Sequence, residues 1–275
     1  FDTKNVTRMR GTFGSLAKIK TLDVSALDTS RVTDMSQMFE GSGFQTLDLS
    51  SFKTENVTDM TRMFYDCVNL ESVNLSSFNT KNVKDVSSMF QNCSKLKSLD
   101  LSLFDTSNVT RMEEMFGYCN SLTDLDLSKF NTSNVTIMSD MFSDCRNLQT
   151  VNISSFDTKN VTAISRMFKK CEKLTNLDLS GFDTSNLKYI EETFYGCSRL
   201  KTIDFSGFNT EKVSSMAKLF YECYGLTELD LSEFDTSSVT NMSSMFTGCK
   251  NLQTIYVSGK WTIDAVTSST SMFGG

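Results

Sequence analysis

One 26-residue unit is repeated along almost the whole of this 275-residue chain. Every cysteine lies at one position of the unit, the cysteine column: Cys67, Cys93, Cys119, Cys145, Cys171, Cys197, Cys223 and Cys249. A first phenylalanine column contains Phe52, Phe78, Phe104, Phe130, Phe156, Phe182, Phe208 and Phe234. A second contains Phe13, Phe39, Phe64, Phe90, Phe116, Phe142, Phe168, Phe194, Phe220, Phe246 and Phe273. Such a chain is expected to fold as a stack of similar rungs, because each unit buries its apolar side only against its neighbours.

The first half of the unit has a three- and four-residue apolar spacing. In the copy at residues 104–129, Val109, Met112, Phe116 and Cys119 follow this spacing, which places them on one face of a short helix. The polar residues 105–108 precede them and are of the types that cap helix starts. This half of the unit therefore predicts a short helical segment.

The second half of the unit has a different pattern. Leu122, Leu125 and Leu127 form L-x-x-L-x-L, and the alternation around Asp126 is typical of a short strand. We therefore predict an α/β repeat solenoid of about ten rungs, each with one short parallel strand and one short helical segment. With roughly 4.8 Å between neighbouring strands, ten rungs span on the order of 50 Å.

Composition excludes several classes of function. The chain has no histidine, so it lacks His-based nucleophile activation, a histidine general base and His-containing metal sites. Its net charge of −6 argues against a nucleic-acid-binding surface, which requires clustered basic residues. No stretch approaches the roughly 18 apolar residues of a membrane span. We expect no catalytic residues, no metal and no cofactor.

The residues of the unit resemble a known family. The pattern SxFDTSNVTxMxxMFxxCxxLxxLDLS is similar to the 26-residue bacterial surface-protein repeat of BspA-like leucine-rich-repeat proteins, also found in mycoplasma lipoproteins. The resemblance covers the whole chain. It implies a solenoid displayed outside the bacterial cell and, for some members, adhesion to host or extracellular-matrix proteins. It implies no catalytic residues.

We expect residues 1–275 to form a single solenoid domain, with repeat boundaries near the first phenylalanine column. The first two repeats and the last are atypical: the second is one residue short around Gly41–Gly43, and the last is one residue long near Gly259. The chain begins and stops within a repeat, so we expect it to be part of a longer surface protein whose signal sequence and anchor lie outside it.

The cysteine column is consistent with either disulfides or buried free thiols. Eight stacked cysteines suggest a disulfide framework, because adjacent rungs bring Cα atoms near bridging distance. The column lies on the apolar face, however, and Leu16 and Ser42 occupy it in the first two rungs. Free cysteine packs as a small hydrophobe, so buried thiols are favoured. A zinc site is not expected, since no C-x-x-C pair exists.

An acidic row is predicted on the exposed face of the strands, comprising Asp100, Asp126, Asp178, Asp204 and Asp230. Stacked carboxylates repel one another unless they are screened, hydrogen-bonded or bridged by cations. Calcium bridging and a glycosidase-like pair are alternatives to a solvated structural row. The threonine column that runs from Thr3 and Thr29 to Thr236 suggests either ice binding or hydrogen bonding at a solenoid corner.

Positions that vary from rung to rung are the candidates for partner binding, because they distinguish one stretch of the surface from another. Tyr195 and Tyr221 occupy the same column on adjacent rungs, and Tyr189 and Tyr224 lie on flanking turns. Clustered exposed aromatics are typical of interface anchors, although they also simply cover an edge. A second candidate is the basic group of Arg166, Lys169, Lys170 and Lys173, as a receptor for an acidic partner or glycan or as solvated charge.

The sequence therefore predicts a non-catalytic, adhesin-like module at the bacterial surface. Its expected partner is a host or extracellular-matrix protein, with no role for nucleic acid and no insertion into the membrane. A structural stalk that displays another domain is the alternative.

Overall fold

The computed structural model describes residues 2–275, and Phe1 lies outside the described residues. It contains eight strands of three or four residues each. They are β1 (Thr46–Asp48), β2 (Ser72–Asn74), β3 (Asp124–Asp126), β4 (Thr150–Asn152), β5 (Asn176–Asp178), β6 (Thr202–Asp204), β7 (Glu228–Leu231) and β8 (Thr254–Val257). The strands pair in parallel as β1–β2, β3–β4, β5–β6 and β7–β8. The chain is thus a parallel solenoid whose strands stack along one side, the strand face.

The register of every strand pair equals the sequence repeat. Leu47 pairs with Val73 and Leu125 pairs with Val151, an offset of 26 residues in both cases. The alternation of the leucines is confirmed, since the central strand residues point inward and their neighbours point outward.

The expected count of about ten strand-bearing rungs is not confirmed. The copy between β2 and β3 has no strand, and the Lys97 amide is bonded at 3.3 Å to the Glu71 carbonyl. Leu101 of the same copy is nevertheless buried, so the rung keeps its place in the core without forming a regular ladder.

The half of the rung that was expected to be helical contains no helix anywhere in residues 2–275. It consists of consecutive turns, the turn half, whose alternate amides donate to carbonyls of the next rung. Four such bonds of 2.8 to 3.0 Å leave the second rung: Met35 to Asp59, Gln37 to Thr61, Phe39 to Met63 and Gly41 to Tyr65. The intervening amides close turns within the rung, as from Met38 to the carbonyl of Met35. Because half of the amides bond along the stack, the i→i−4 bonding of a helix cannot form.

Backbone angles explain the same departure from a helix. Two positions per rung, four residues apart, have φ near +60°; in one rung they are Glu114 (57°) and Tyr118 (62°). This left-handed region interrupts a right-handed helix and costs a non-glycine residue roughly 1–2 kcal/mol. Hydrogen bonds between rungs hold these positions in place.

The interior is built from the columns seen in the sequence. Val109, Met112, Met115, Phe116 and Cys119 are all fully buried. Every consecutive pair of the second phenylalanine column is stacked, with ring centroids 5.3–6.2 Å apart and planes within 16°. The apolar spacing therefore identified the interior correctly, although it gave the wrong backbone conformation.

Candidate binding surface

The turn half carries the stacked pair of tyrosines that the column predicted. The rings of Tyr195 and Tyr221 lie 4.5 Å apart at an interplanar angle of 7°. The Lys169 ammonium lies 4.9 Å from the centre of the Tyr195 ring, so Tyr195 is enclosed between a cation and a second ring. Parallel bonding of adjacent rungs positions the pair: the Gly196 amide donates to the Tyr221 carbonyl at 2.7 Å.

The two flanking tyrosines lie in different environments. Tyr224 is 37% exposed, and partial burial together with the nearby Glu222 carboxylate raises its pKa. Desolvation followed by the charge of Glu222 likewise raises the pKa of Tyr195. Tyr189 is 53% exposed but lies in another column, where it bridges Ala163 of the preceding rung. We therefore define the tyrosine cluster as Tyr195, Tyr221 and Tyr224.

Ion pairs neutralise most of the basic group. Arg166 forms two contacts of 2.8 and 2.9 Å with the Asp140 carboxylate. Lys169 pairs with Glu192 at 2.6 Å, and the Lys170 ammonium lies 4.0 Å from Asp144. Lys173 is exposed. The group thus alternates with carboxylates on adjacent rungs, which weakens the interpretation that it receives an acidic partner.

The acidic row serves the turn that follows each strand. Asp100 Oδ1 accepts a hydrogen bond from the Ser102 amide at 2.9 Å, and Asp126 accepts one from Ser128 at 3.0 Å. These amide bonds are the main reason why the pKa values of both carboxyls are lowered. Equivalent bonds to the serine two residues later are made by Asp178, Asp204 and Asp230.

Three members of the row, Asp178, Asp204 and Asp230, line a shallow groove of about 860 Å³ on the strand face. Within the described part of the chain, no three His, Cys, Asp or Glu side chains are grouped so as to hold a metal ion. No helix in residues 2–275 has the length and apolarity needed to cross a membrane.

The threonine column is a buried hydrogen-bonding ladder. The Thr54 hydroxyl donates to the Asn79 carbonyl at 3.0 Å and accepts the Asn79 amide at 2.8 Å. Thr80 and Thr106 donate in the same way to Asp105 and Asn131. These hydroxyls are almost inaccessible to solvent, so the corner role is confirmed and the ice-binding alternative is wrong.

The cysteines are free thiols, all buried except the half-buried Cys249, so the favoured interpretation is confirmed. Each thiol donates to the carbonyl of a residue in the second phenylalanine column, as from Cys93 to Phe64 at 3.1 Å. Ser42, which replaces cysteine in the second rung, donates to the Phe13 carbonyl at 2.6 Å. The column therefore provides a hydrogen-bond donor to the neighbouring rung, a role that apolar spacing alone did not reveal.

Sequence reasoning missed Glu222 and the small residues beside it. Glu222 occupies one of the positions with φ near +60° (57°), and its amide donates to the Thr247 carbonyl. Its side chain lies over Gly248, where an added Cβ would come within 3.1 Å of Glu222 Cγ. The sequence signal that could have identified this contact is the presence of glycine (Gly248) one repeat after the charged Glu222.

Comparison with protein families gives a match over the whole chain. The model described as "Mycoplasma protein of unknown function, DUF285" matches residues 1–101, 87–204 and 173–275. The chain belongs to this family. The match confirms the resemblance to mycoplasma-type repeats that the 26-residue unit indicated. A comparison with curated proteins found no match.

Solved structures of bacterial leucine-rich-repeat proteins are similar to the chain. A protein from Bacteroides ovatus is 18% identical, with a TM-score of 0.42 over 92% of this chain and 66% of that one. A protein from Eubacterium ventriosum is 17% identical, with a TM-score of 0.45 over 89% of this chain and 62% of that one. A leucine-rich cell surface protein from Faecalibacterium prausnitzii is 18% identical, with a TM-score of 0.36 over 78% and 79%. The chain thus spans about two thirds of the length of the first two.

Proposed function

We propose that the chain is a non-catalytic binding module displayed outside the bacterial cell, and that it recognises a host or extracellular protein through the tyrosine cluster. The observation that carries the proposal is the stacked Tyr195–Tyr221 pair on the surface of a rigid, hydrogen-bonded backbone. Tyrosine supplies a large contact area with few rotatable bonds, and aromatic clusters are common anchors of protein interfaces.

The architecture supports recognition of a partner along an extended surface. The core is continuous from rung to rung, so exposed side chains are held at a fixed spacing. The columns that build the core hardly change between rungs. The position occupied by Tyr195 and Tyr221 is also tyrosine at Tyr65 but is Gln91, Gly117, Ser143, Lys169 and Thr247 in other rungs. Such variation distinguishes one stretch of the surface from another, which selective binding requires.

The test is a binding screen of the 275-residue chain against purified extracellular host and matrix proteins. A captured partner is then measured against Tyr195→Ala/Tyr221→Ala and against Tyr256→Ala, which changes a tyrosine exposed on the strand face. We expect the double variant to lose at least tenfold in affinity and the control to bind normally, with both unfolding at temperatures close to that of the parent.

Two outcomes would contradict the proposal. Equal losses of affinity in the double variant and in Tyr256→Ala would show that the turn half is not the specific binding surface. No capture by the intact chain would favour a stalk that separates another domain from the cell.

Protease shaving of intact cells tests the location, because an exposed module is cleaved without lysis.

A further inference from the structure

The tyrosine column shows how this surface interacts with cations. The column comprises Tyr65, Lys169, Tyr195, Tyr221 and Thr247 together with the intervening rungs. In two places the chain sets its own cation on a ring. The Arg62 guanidinium carbon lies 3.9 Å from the centre of the Tyr65 ring, and the Lys169 ammonium lies on Tyr195. Cations bind such ring faces because of the negative potential of the π system.

Tyr221 has one ring face that no aromatic ring, lysine or arginine of residues 2–275 covers. One face is stacked on Tyr195. The next position along the column on the other side is Thr247, whose hydroxyl donates to the Ser271 carbonyl. Among residues 2–275, no lysine or arginine lies over the Tyr221 ring. The residue next to the free face is therefore the short Thr247, whereas earlier rungs have a lysine (Lys169) or a tyrosine (Tyr195) at this position.

A carboxylate lies on the same rung as Tyr221, where it is hydrogen-bonded to the Tyr224 hydroxyl. Glu222 follows Tyr221 directly, and its side chain extends over Gly248 in the rung that carries Thr247. In the described part of the chain, Glu222 has no ion pair within 4.0 Å, whereas the nearby Lys218 approaches Glu192 at 3.9 Å. Lys250, one rung beyond Tyr224, is exposed and forms no ion pair within 4.0 Å among residues 2–275, so it does not neutralise Glu222.

These residues form a notch with an aromatic side (Tyr221), an acidic side (Glu222, whose side chain covers Gly248) and a floor at Thr247. We propose that the notch binds an arginine side chain of the partner protein, with its guanidinium stacked on Tyr221 and paired with Glu222. The proposal rests on the proposed binding function and specifies the chemistry of the partner.

Arginine fits the notch better than lysine for a geometric reason. A planar guanidinium stacks on a ring while its edge donates hydrogen bonds to a carboxylate, whereas an ammonium is a strongly hydrated point charge. The contact between Arg62 and Tyr65 is an example of this stacking within the same column.

The experiment titrates arginine methyl ester into the chain carrying ¹³C-labelled tyrosine and follows the ring resonances by NMR. Citrulline methyl ester is the matched ligand without the guanidinium charge, and lysine methyl ester tests the choice of cation. We expect arginine to shift the Tyr221 signal more than the Tyr118 signal, and citrulline to leave both unchanged.

Variants test the two sides and the floor of the notch. Glu222→Gln is expected to weaken arginine binding about twofold to fivefold, the effect of an exposed ion pair. Glu211→Gln, at an exposed carboxylate elsewhere, should not. Thr247→Lys places a cation next to Tyr221 and is expected to abolish the shift. Unchanged far-UV circular dichroism verifies that each variant is folded.

The outcomes separate this inference from the proposed function. Equal shifts with arginine and citrulline, equal shifts with arginine and lysine, or no effect of Glu222→Gln would overturn the arginine notch. A partner that binds through the tyrosine cluster yet is indifferent to Glu222→Gln would preserve the function and remove the notch. An arginine-specific shift without any protein partner would support the notch while the proposed function fails.

Discussion

The thiol of Cys119 donates a hydrogen bond to the backbone carbonyl of Phe90, one rung earlier, at 3.1 Å. The same carbonyl also accepts the Cys93 amide, so the thiol supplies its second bond. We expect Cys119→Ala to lower the free energy of unfolding by about 1–2 kcal/mol, because it removes a buried sulfur atom together with a weak thiol hydrogen bond. Cys119→Ser should cost less, because Ser42 makes the equivalent bond naturally. Urea unfolding checks both, and a serine variant less stable than the alanine variant would contradict this role.

Burial also makes the thiols unreactive. Desolvation raises the pKa of Cys67, Cys145 and Cys197 to about 12, and that of the half-buried Cys249 to about 11. Because the thiolate is the nucleophile, we expect almost no reaction with a disulfide reagent at pH 8 in the folded protein. Cys249 should react first, and all eight thiols should react in denaturant. Fewer than eight in denaturant under non-reducing conditions would indicate disulfides.

Acid is expected to destabilise the stack through the acidic row. Each aspartate of the row accepts hydrogen bonds from the serine two residues later. These bonds lower the folded-state pKa values of Asp100, Asp126, Asp204 and Asp230. Their stabilising contribution is therefore complete above the unfolded value of about 3.9 and is lost as the pH falls through the lower folded values. The urea midpoint should decline below about pH 4. Asp126→Asn should reduce this decline, since Asn152 makes the same turn without charge. Glu211→Gln serves as the charge control, and an identical decline for both variants would contradict the prediction.

Left-handed positions occupied by ordinary residues are sites for stabilisation. Ser244 has φ of 56°, and none of its side-chain atoms takes part in a hydrogen bond within residues 2–275. We expect Ser244→Gly to raise the free energy of unfolding by roughly 0.5–1 kcal/mol, because glycine adopts this conformation without strain. Ser214→Gly is the matched control, since Ser214 is exposed with an ordinary backbone angle, and it should be slightly destabilising. The same sign for both variants would show that strain does not decide the effect.

The stacked rings predict a strong dependence on position. Phe116 is fully buried between Phe90 and Phe142, at centroid distances of 6.0 and 5.8 Å. Phe116→Ala should cost about 3–5 kcal/mol through lost burial and a cavity. Phe273 is 67% exposed and is stacked on one side only, so Phe273→Ala should cost far less. Thermal unfolding of the two variants compares their losses of stability. Similar losses for Phe116→Ala and Phe273→Ala would contradict a continuous stack.

The sequence predicted the interior and the period but not the backbone of the turn half. Consecutive turns place side chains three and four residues apart, as a helix does, so Val109, Met112 and Phe116 fit both. The two backbone conformations differ in the φ angles of Glu114 and Tyr118, and neither glutamate nor tyrosine is a residue type that indicates a left-handed angle.

The arrangement of the candidate surface was also predicted in part. A column spacing of 26 residues was enough to bring Tyr195 and Tyr221 together. The position of the Glu222 side chain was not predictable in the same way, because it depends on Gly248 in the next rung leaving space for it. Pairing of Arg166 and Lys169 with carboxylates of adjacent rungs likewise depends on side-chain geometry that the column pattern does not specify.

The one-directional bonding of the turn half gives the solenoid an electrical polarity. In most rungs four amides donate toward the next rung, as from Met35 to Asp59, and one bond runs in the opposite direction, as from Thr58 to Thr33. Strand dipoles largely cancel within a sheet, but these peptide dipoles add along the stack, as they do in a helix. The turn half therefore carries a macrodipole along the stack, although residues 2–275 contain no helix.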